Sequence, residues 1–303
     1  MIARYLILLF TLLATLTHPA FCGDAGDASL QLKAPARVVQ GFPVIFRFVA
    51  HGPQSVPFMS LNSSTTEIVL SFTDHNSPQK NYQIESSLDG ILELTSEDGK
   101  IEKDGAYILR SIIKSGESLS TLLDIASLVG RGVTFGQIPT GDYTVVAEFP
   151  SSKIHTNPIQ LSIVKASDSE KAFLEKANKV GHISRGWVAV CVNGADFSGL
   201  PYDSLGPDSK SQMGYHRLLC GLVFAKDKKD PALLEFAKTV EVPEYLKLEK
   251  ELLMLELAWI TNPATGKTSL LDFATRNPDM KQHVDSVLAG SGPIKIENTL
   301  LGK

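Results

Sequence analysis

Two residues that together could form a nucleophile stand four positions apart in this sequence. At that spacing His216 and Cys220 would share one face of a helix. A histidine beside a cysteine can take the thiol proton and leave the thiolate that attacks an electrophilic carbon. The competing interpretation is a core cysteine, disulfide-bonded or simply buried, beside a histidine at the edge of the core. We prefer this second interpretation and keep His216 as a candidate site residue.

Aspartates and a tyrosine gather just before this pair. The stretch from Asn193 to Gly206 is rich in glycine and aspartate, which predicts a loop. Loops often carry function because a rigid scaffold can present them to a ligand. The simpler interpretation is a set of solvated turn aspartates. The candidate functional loop, taken together with His216, consists of Tyr202, Asp203 and Asp208.

The sequence lacks the motifs of nucleotide, metal and ester chemistry. Gly266-Lys267-Thr268 has the residues that close a phosphate-binding loop, but Thr261 stands where the first glycine belongs and a predicted helix precedes it. None of the seven histidines has a metal-ligand spacing. Neither a calcium loop nor a Gly-x-Ser-x-Gly sequence occurs. The sequence therefore predicts no cofactor, no metal site and no identifiable reaction.

The N-terminus has the three parts of a secretory signal peptide. Arg4 supplies the basic part and Tyr5 to Leu16 the apolar run. Ala20 and Cys22 are the small residues of a cleavage site. One alternative is a retained membrane anchor, for which the run is shorter than the roughly 20 residues needed. Another is a lipid-modified Cys22, but Phe21 stands where the bacterial motif has a small residue. We expect cleavage after residue 22 and export to the periplasm or the cell exterior.

Removal of that segment leaves two cysteines, Cys191 and Cys220. Disulfides form and persist in oxidising compartments, so the sequence predicts a bond between them. Two buried free thiols are the alternative, because a sequence does not establish the short distance between alpha carbons that a disulfide requires.

Charge and hydropathy limit the classes of partner. The chain has 29 Lys and Arg against 33 Asp and Glu, and the two signs are interspersed. No basic patch of the kind that neutralises phosphates is present, so nucleic acid and anionic membranes are poor partners. No second apolar stretch reaches the length of a membrane span. A protein or a glycan remains as the expected partner.

Apolar and polar residues alternate from Leu30 to Val164, which is typical of half-buried strands. Turn-rich pieces with glycine, proline, aspartate and asparagine separate the alternating runs. The predicted strands are Val44–Val49, Ile68–Thr73, Ile91–Leu94, Tyr107–Ile113, Leu119–Ile125, Tyr143–Phe149 and Ile159–Ile163. Short strands at this spacing favour an antiparallel β-sandwich over residues 28–166.

Two short segments carry a family resemblance. A polar Gly-Glu turn lies in Lys114–Ser118, and a Pro-x-Gly-x-Tyr corner lies in Ile138–Val145. Together they resemble the closing half of immunoglobulin-like sandwiches, although Leu30–Val164 contains neither the Trp nor the Cys of antibody domains. The resemblance implies that Tyr143 is a tyrosine corner whose hydroxyl bonds to upstream backbone. The alternative is a tyrosine half buried on a strand.

The same pattern is similar to that of bacterial proteinase-inhibitor sandwiches. That second resemblance implies an inhibitor-like sandwich that presents a loop to a secreted hydrolase.

The periodicity changes at Ser167, where a mostly helical domain over residues 167–303 is expected. Helix starts are predicted at the capping boxes Ser167/Glu170 and Ser209/Gln212, and at Asp230-Pro231 and Pro243. The helix after Pro243 carries two apolar stripes, which predicts a central helix packed on both sides. Asn262-Pro263 ends it. We expect the sandwich and the helical domain to fold separately.

One five-residue segment recurs with little change in the helical domain. Leu233–Ala237 returns as Leu270–Ala274 after 37 residues, a period that suits stacked helical hairpins. Matches this short in leucine-rich helices also arise by chance.

The preferred function is non-catalytic: an exported protein that binds a protein or glycan or organises the cell surface or periplasm. The first alternative is the hydrolase inhibitor. The second is an enzyme with a site between the domains that uses His216 and Asp203.

Overall fold

Strands come first and helices second in the computed structural model, which describes residues 29–57, 68–86, 110–125, 128, 130–149, 154–181, 183 and 196–294. This order is the one that the change of periodicity predicts. The predicted strand Ile91–Leu94, the signal segment and Cys191 lie outside the described residues. Within the described ranges, no helix is long and apolar enough to cross a membrane.

The strands of the described N-terminal part are short. They are β1 Ser29–Lys33, β2 Arg37–Val39, β3 Ile45–His51, β4 Gln54–Pro57, β5 Ile68–Asp74, β6 Asn81–Ser86, β7 Arg110–Ile113, β8 Ser118–Asp124, β9 Gly130–Gly132, β10 Gly141–Phe149, β11 Ile154–His155 and β12 Ile159–Val164. The predicted strands within the described ranges correspond to β3, β5, β7, β8, β10 and β12. The sequence prediction missed six of the described strands. Four of them, β2, β4, β9 and β11, have only two to four residues, too few to make a period visible.

The strands form two main sheets and one small one. The first sheet has the order β1-β3-β8 and is antiparallel. The second has the order β2-β12-β10-β5-β6-β9, with β11 paired to β10. Its pairs are antiparallel except that β2 runs parallel to β12. A separate antiparallel pair joins β4 to β7.

One apolar core includes side chains from both main sheets. Along β10 the buried side chains are Tyr143, Val145, Ala147 and Phe149, while the residues between them are more exposed. The ring centroids of Phe48 on β3 and Phe149 lie 5.9 Å apart, so both sheets supply side chains to this core. The period of two in the sequence therefore identifies the face of each strand that is buried.

Six helices follow in the described part of the chain. They are α1 Asp168–Val180, α2 Pro207–Val223, α3 Pro231–Thr239, α4 Lys247–Thr261, α5 Pro263–Arg276 and α6 Lys281–Leu288. The predicted caps are confirmed at two of them: Ser167 with Glu170 before α1 and Asp230 before α3. Asn262, predicted only as the end of α4, also caps α5. Each cap supplies an acceptor for a backbone N–H that has no partner in the first helical turn.

The predicted capping box of Ser209 and Gln212 is wrong. Helix α2 begins two residues earlier, at Pro207, so both side chains lie inside the helix and turn to tertiary partners. The Ser209 hydroxyl donates to Glu170 Oε1 at 2.6 Å. Burial alone would raise the pKa of Glu170, but hydrogen bonds from Ser209 and Ser167 lower it below its ordinary value. Gln212 accepts a hydrogen bond from the Val39 amide at 2.6 Å and so joins α2 to strand β2.

Helix α4 packs on both sides, as its two apolar stripes predict. One stripe includes Leu253 and Leu257, which lie in a core shared with α2 and α3. The other includes Leu252 and Trp259, which lie in a core shared with α5 and α6. Helix α4 is therefore the central element of the helical part.

A buried arginine joins the first sheet to the helices. Arg47 on β3 has a side chain that is only 5% exposed. Its Nε–H donates to Ser120 Oγ at 2.8 Å and its Nη2 donates to Asp279 Oδ2 at 2.7 Å. Glu249 Oε1 lies 2.8 Å from the same Nε, but neither oxygen of Glu249 accepts a hydrogen bond from the described residues. That contact is therefore close but is not a directed hydrogen bond.

Glu249 has an unusual environment for a carboxylate. Burial raises its pKa to about 7, against the opposing effect of Arg47. The Asp279 carboxylate adds a smaller effect in the same direction, because one cation faces two carboxylates and the directed hydrogen bond goes to Asp279. Glu256 on the same helix is also buried. Its pKa is raised to about 7 despite a hydrogen bond from the Ile294 amide.

Glu249 should make the protein less stable as the pH rises. In the unfolded chain a glutamate loses its proton near pH 4.3, whereas the folded protein holds it to about pH 7. The folded state is therefore disfavoured progressively across that window, by on the order of 3 kcal/mol at its upper end. Urea unfolding of wild type and Glu249→Gln at pH 5 and pH 8 measures this, and the variant should lose less stability between the two. Parallel stability curves would show that the pKa of Glu249 is not raised.

Close packing also constrains Gly214 in the middle of α2. A Cβ atom there would lie 2.0 Å from the carbonyl oxygen of Glu241. We expect Gly214→Ala to lower the free energy of unfolding by roughly 2 kcal/mol or more, although alanine is usually the better helix former. Gly136→Ala is the control, because a Cβ at Gly136 meets nothing within 4 Å. Thermal melting of the two variants makes the comparison, and equal melting temperatures would contradict the close approach.

Candidate functional site

A cavity of about 470 Å³ opens beside the C-terminal half of α2. Its walls come from the segment around Phe197 and Tyr202, from α2, from residues 224–230 and from α3. We call it the Arg217 cavity. On α2 the lining residues are Arg217, Cys220 and Gly221, and Phe224 follows directly as the C-cap. Their spacing of three, four and seven puts all four on one helical face.

The turn between α2 and α3 is fixed by a lysine. Lys228 Nζ donates to the carbonyl oxygens of Leu222 at 2.7 Å and Ala225 at 2.8 Å, and to that of Val223. It therefore satisfies carbonyl groups that the end of a helix leaves without partners. Asp230 then caps α3 with Pro231 at its first position, and α3 adds Leu233 and Phe236 to the cavity wall.

Tyr202 forms a rigid part of the wall. Its hydroxyl donates to the Phe197 carbonyl oxygen at 3.1 Å, and its ring packs edge-on against Phe173 with centroids 5.5 Å apart. Burial raises the pKa of Tyr202 to about 12, so the hydroxyl stays protonated. The face of the Tyr202 ring that Phe173 does not cover is available to the Arg217 guanidinium.

Arg217 is the main charged group of the cavity. Its guanidinium carbon lies 4.7 Å from the centroid of the Tyr202 ring and 5.8 Å from that of Phe236. These distances are typical of cation–π contacts. The side chain is exposed, and in the described part of the chain its N–H groups have no ion-pair or hydrogen-bond acceptor. Contact with the rings orients the guanidinium while its donors remain open to a ligand.

Other charged groups surround the cavity. Lys226 adds a second cation, and Asp196, Asp227 and Asp230 add three carboxylates, all on exposed residues. Phe224, at the end of α2, is 37% exposed and offers an apolar surface beside them. A concave site with aromatic walls and a few oriented polar groups is the usual form of a small-ligand site.

The sequence-predicted site residues divide between the cavity and other places. Tyr202 and Cys220 line the cavity, whereas Asp203 is exposed in the short 3-10 turn Tyr202–Ser204 and does not line it. Asp208 lies at the start of α2, in an ion pair of 2.9 Å with Arg37. These residues therefore do not form one cluster.

His216 lies inside the protein, on the buried face of α2. It is fully buried, its ring packs edge-on against Phe197 at 5.3 Å, and its Nε2 lies 3.3 Å from Cys220 Sγ. Cys220 is disulfide-bonded. A sulfur in a disulfide has no proton to lose and forms no thiolate. The arrangement therefore corresponds to the structural interpretation of this pair.

The other chemical patterns also have structural positions. Gly266 lies in α5, where a Cβ would come within 2.2 Å of the Trp259 backbone, so this glycine allows close contact between two helices. The described ranges contain no group of three or more His, Cys, Asp or Glu residues that could hold a metal ion.

Tyr143 donates its hydroxyl to the Pro139 carbonyl oxygen at 2.8 Å, a bond to backbone four residues upstream. Burial raises the pKa of Tyr143 to about 12.

Comparisons with known proteins found no matching family model, no matching curated protein and no matching solved structure.

Sequence reasoning missed the residue on which the cavity depends. Arg217 belongs to no motif, and its ring partners Tyr202 and Phe236 are fifteen and nineteen positions away on other elements. The available signal was the spacing of Arg217, Gly221 and Phe224, which puts a cation and an exposed ring on one helical face.

The disulfide partner of Cys220 stays a prediction, because Cys191 lies outside the described residues. Peptide mapping of the unreduced protein should recover a linked peptide that contains Cys191 and Cys220. Cys220→Ser should then lower the free energy of unfolding by on the order of 3 kcal/mol, because the crosslink closes a loop of about 30 residues in the unfolded chain. A free Cys191 thiol in the native protein would contradict the pairing.

Proposed function

We propose that the mature chain is an exported, non-catalytic binding protein that takes its ligand in the Arg217 cavity. The observation that carries the proposal is an exposed arginine, oriented by the Tyr202 and Phe236 rings, whose donors have no acceptor among the described residues. Fixed donors that meet no protein acceptor are suited to a ligand, because their orientation costs no further conformational entropy on binding.

Export is part of the proposal. The pattern of residues 1–22 supports it, and so does the disulfide at Cys220. Disulfides are rare in cytosolic proteins, where thiols are kept reduced, and common in the periplasm and outside the cell.

An immunoglobulin-like sandwich is the proposed identity of the strand-rich part. The sheet orders β1-β3-β8 and β12-β10-β5-β6 resemble those of variable-type domains, in which the last strands pair with the middle ones in one sheet. The parallel pair of β2 with β12 and the bond from Tyr143 to Pro139 support the same assignment. In this proposal the sandwich is a rigid support for the helical part.

A photo-crosslinking experiment tests the binding function. Phe224→benzoylphenylalanine puts a reactive group at the cavity mouth, and the same substitution at Leu271 is the matched control. Both side chains are exposed, Phe224 by 37% and Leu271 by 46%, but Leu271 does not line the cavity. We expect irradiation of the exported protein in its native surroundings to give an adduct at position 224 and not at position 271.

Arg217→Ala should weaken that adduct at least fivefold in the position 224 protein, because the oriented donors are lost. Adducts of equal yield at both positions, or none at position 224, would contradict the proposal. Circular dichroism of each variant checks that folding is unchanged.

A further inference from the structure

The Arg217 cavity offers an apolar surface of a particular kind. Phe224 is 37% exposed, and Leu233 and Phe236 continue the apolar wall. The face of an aromatic ring carries partial negative charge and attracts partly positive C–H groups. A sugar ring has such C–H groups on one face, with hydroxyl groups around its edge.

The aspartates of the cavity are oriented acceptors. One carboxylate oxygen of each accepts a backbone N–H two residues further along: Asp196 from Ser198 at 2.9 Å, Asp227 from Lys229 at 2.8 Å and Asp230 from Ala232 at 2.9 Å. For Asp227 and Asp230 the second oxygen has no donor among the described residues. Such oxygens can accept hydrogen bonds from ligand hydroxyl groups.

Donors stand among these acceptors. Arg217 presents a planar set of N–H groups held against Tyr202, and Lys226 presents an ammonium group. A hydroxyl group both donates and accepts, so neighbouring hydroxyls on one ring can engage a carboxylate and a guanidinium together.

The balance of charge selects the ligand. Three carboxylates against two cations leave the cavity wall with a negative excess, which opposes an anion even where Arg217 would attract it. We infer that the Arg217 cavity binds a sugar ring of a neutral glycan, with the ring stacked on Phe224 and its hydroxyls between Arg217 and Asp230. This inference rests on the proposed function of the cavity as a binding site.

A printed array of neutral and acidic glycans, probed with the mature exported protein, tests the inference. We expect signal on neutral glycans. Calorimetric titration with the disaccharide common to the bound glycans should give a dissociation constant on the order of 1 mM, as suits a ligand of that size in a shallow site. Acetate and glucuronate are titrated in parallel and should bind more weakly.

Variants connect the affinity to the cavity. Phe224→Ala and Arg217→Ala should each weaken binding about tenfold. Asp230→Asn should also weaken it, and because asparagine caps helices as well as aspartate does, α3 keeps its start. Leu271→Ala, which changes an exposed side chain outside the cavity, should leave the affinity unchanged.

Each other outcome has a distinct meaning. Tighter binding of acetate or glucuronate than of any neutral sugar would overturn the glycan inference and leave a binding site for anions. No glycan binding, together with an Arg217-dependent protein adduct at position 224, would overturn the inference in favour of a protein ligand while the proposed function stands. Absence of both glycan binding and adduct would overturn the inference and the proposed function together.

Discussion

The burial of the Arg47 guanidinium is the constraint on which the arrangement of sheets and helices depends. A cation on the central strand of the first sheet is costly to remove from water and persists only where opposite charges and hydrogen-bond acceptors meet it. Ser120 comes from the neighbouring strand, but both carboxylates, Glu249 and Asp279, come from the helical part. Without the helices the strand region would keep an uncompensated charge. The period of the sequence changes sharply near Ser167, but the stability of the strand-rich part still depends on the helices that follow.

Helix α2 connects the strand-rich part of the protein to the Arg217 cavity. Gln212 binds the Val39 backbone and Ser209 binds Glu170, so the first turns of α2 are tied to strand β2 and to helix α1. Further along, successive residues face opposite ways: His216 enters the core, and Arg217 faces the cavity. The position of each residue around the helix, and not its chemical type, therefore decides which of these two polar side chains a ligand can reach. The histidine has the better-known chemistry, but it has no access to solvent.

Local signals in the sequence predicted the local structure. Alternation predicted most of the longer strands, Ser167 and Asp230 predicted helix starts, and Asn262 predicted a helix end, because these signals act over a few residues. The pairing of Arg47 with Asp279 spans 232 positions and leaves no local trace. The Ser209 and Gln212 prediction failed for the same reason, since a capping pattern and a pair of tertiary contacts look alike in sequence. At the site, the loop composition pointed to Tyr202, but Arg217 becomes meaningful only when α2, α3 and that loop come together.

The rigidity of the cavity also bears on what it can do. Cys220 is disulfide-bonded, and a Cβ at Gly221 would lie 2.5 Å from the Phe236 ring, so α2 and α3 are in close contact along one wall. Tyr202 is held by Phe173 and by the Phe197 carbonyl group. Walls held in this way suit binding, because little conformational entropy remains to be lost when a ligand enters.

Acid–base catalysis would need a proton donor or acceptor with a pKa near the working pH. The carboxylates whose pKa values are raised to about 7, Glu249 and Glu256, are buried on α4 and do not line the cavity. In the described residues, the two glutamates with raised pKa values are therefore buried on α4, whereas Arg217, whose donors have no acceptor, is exposed at the cavity.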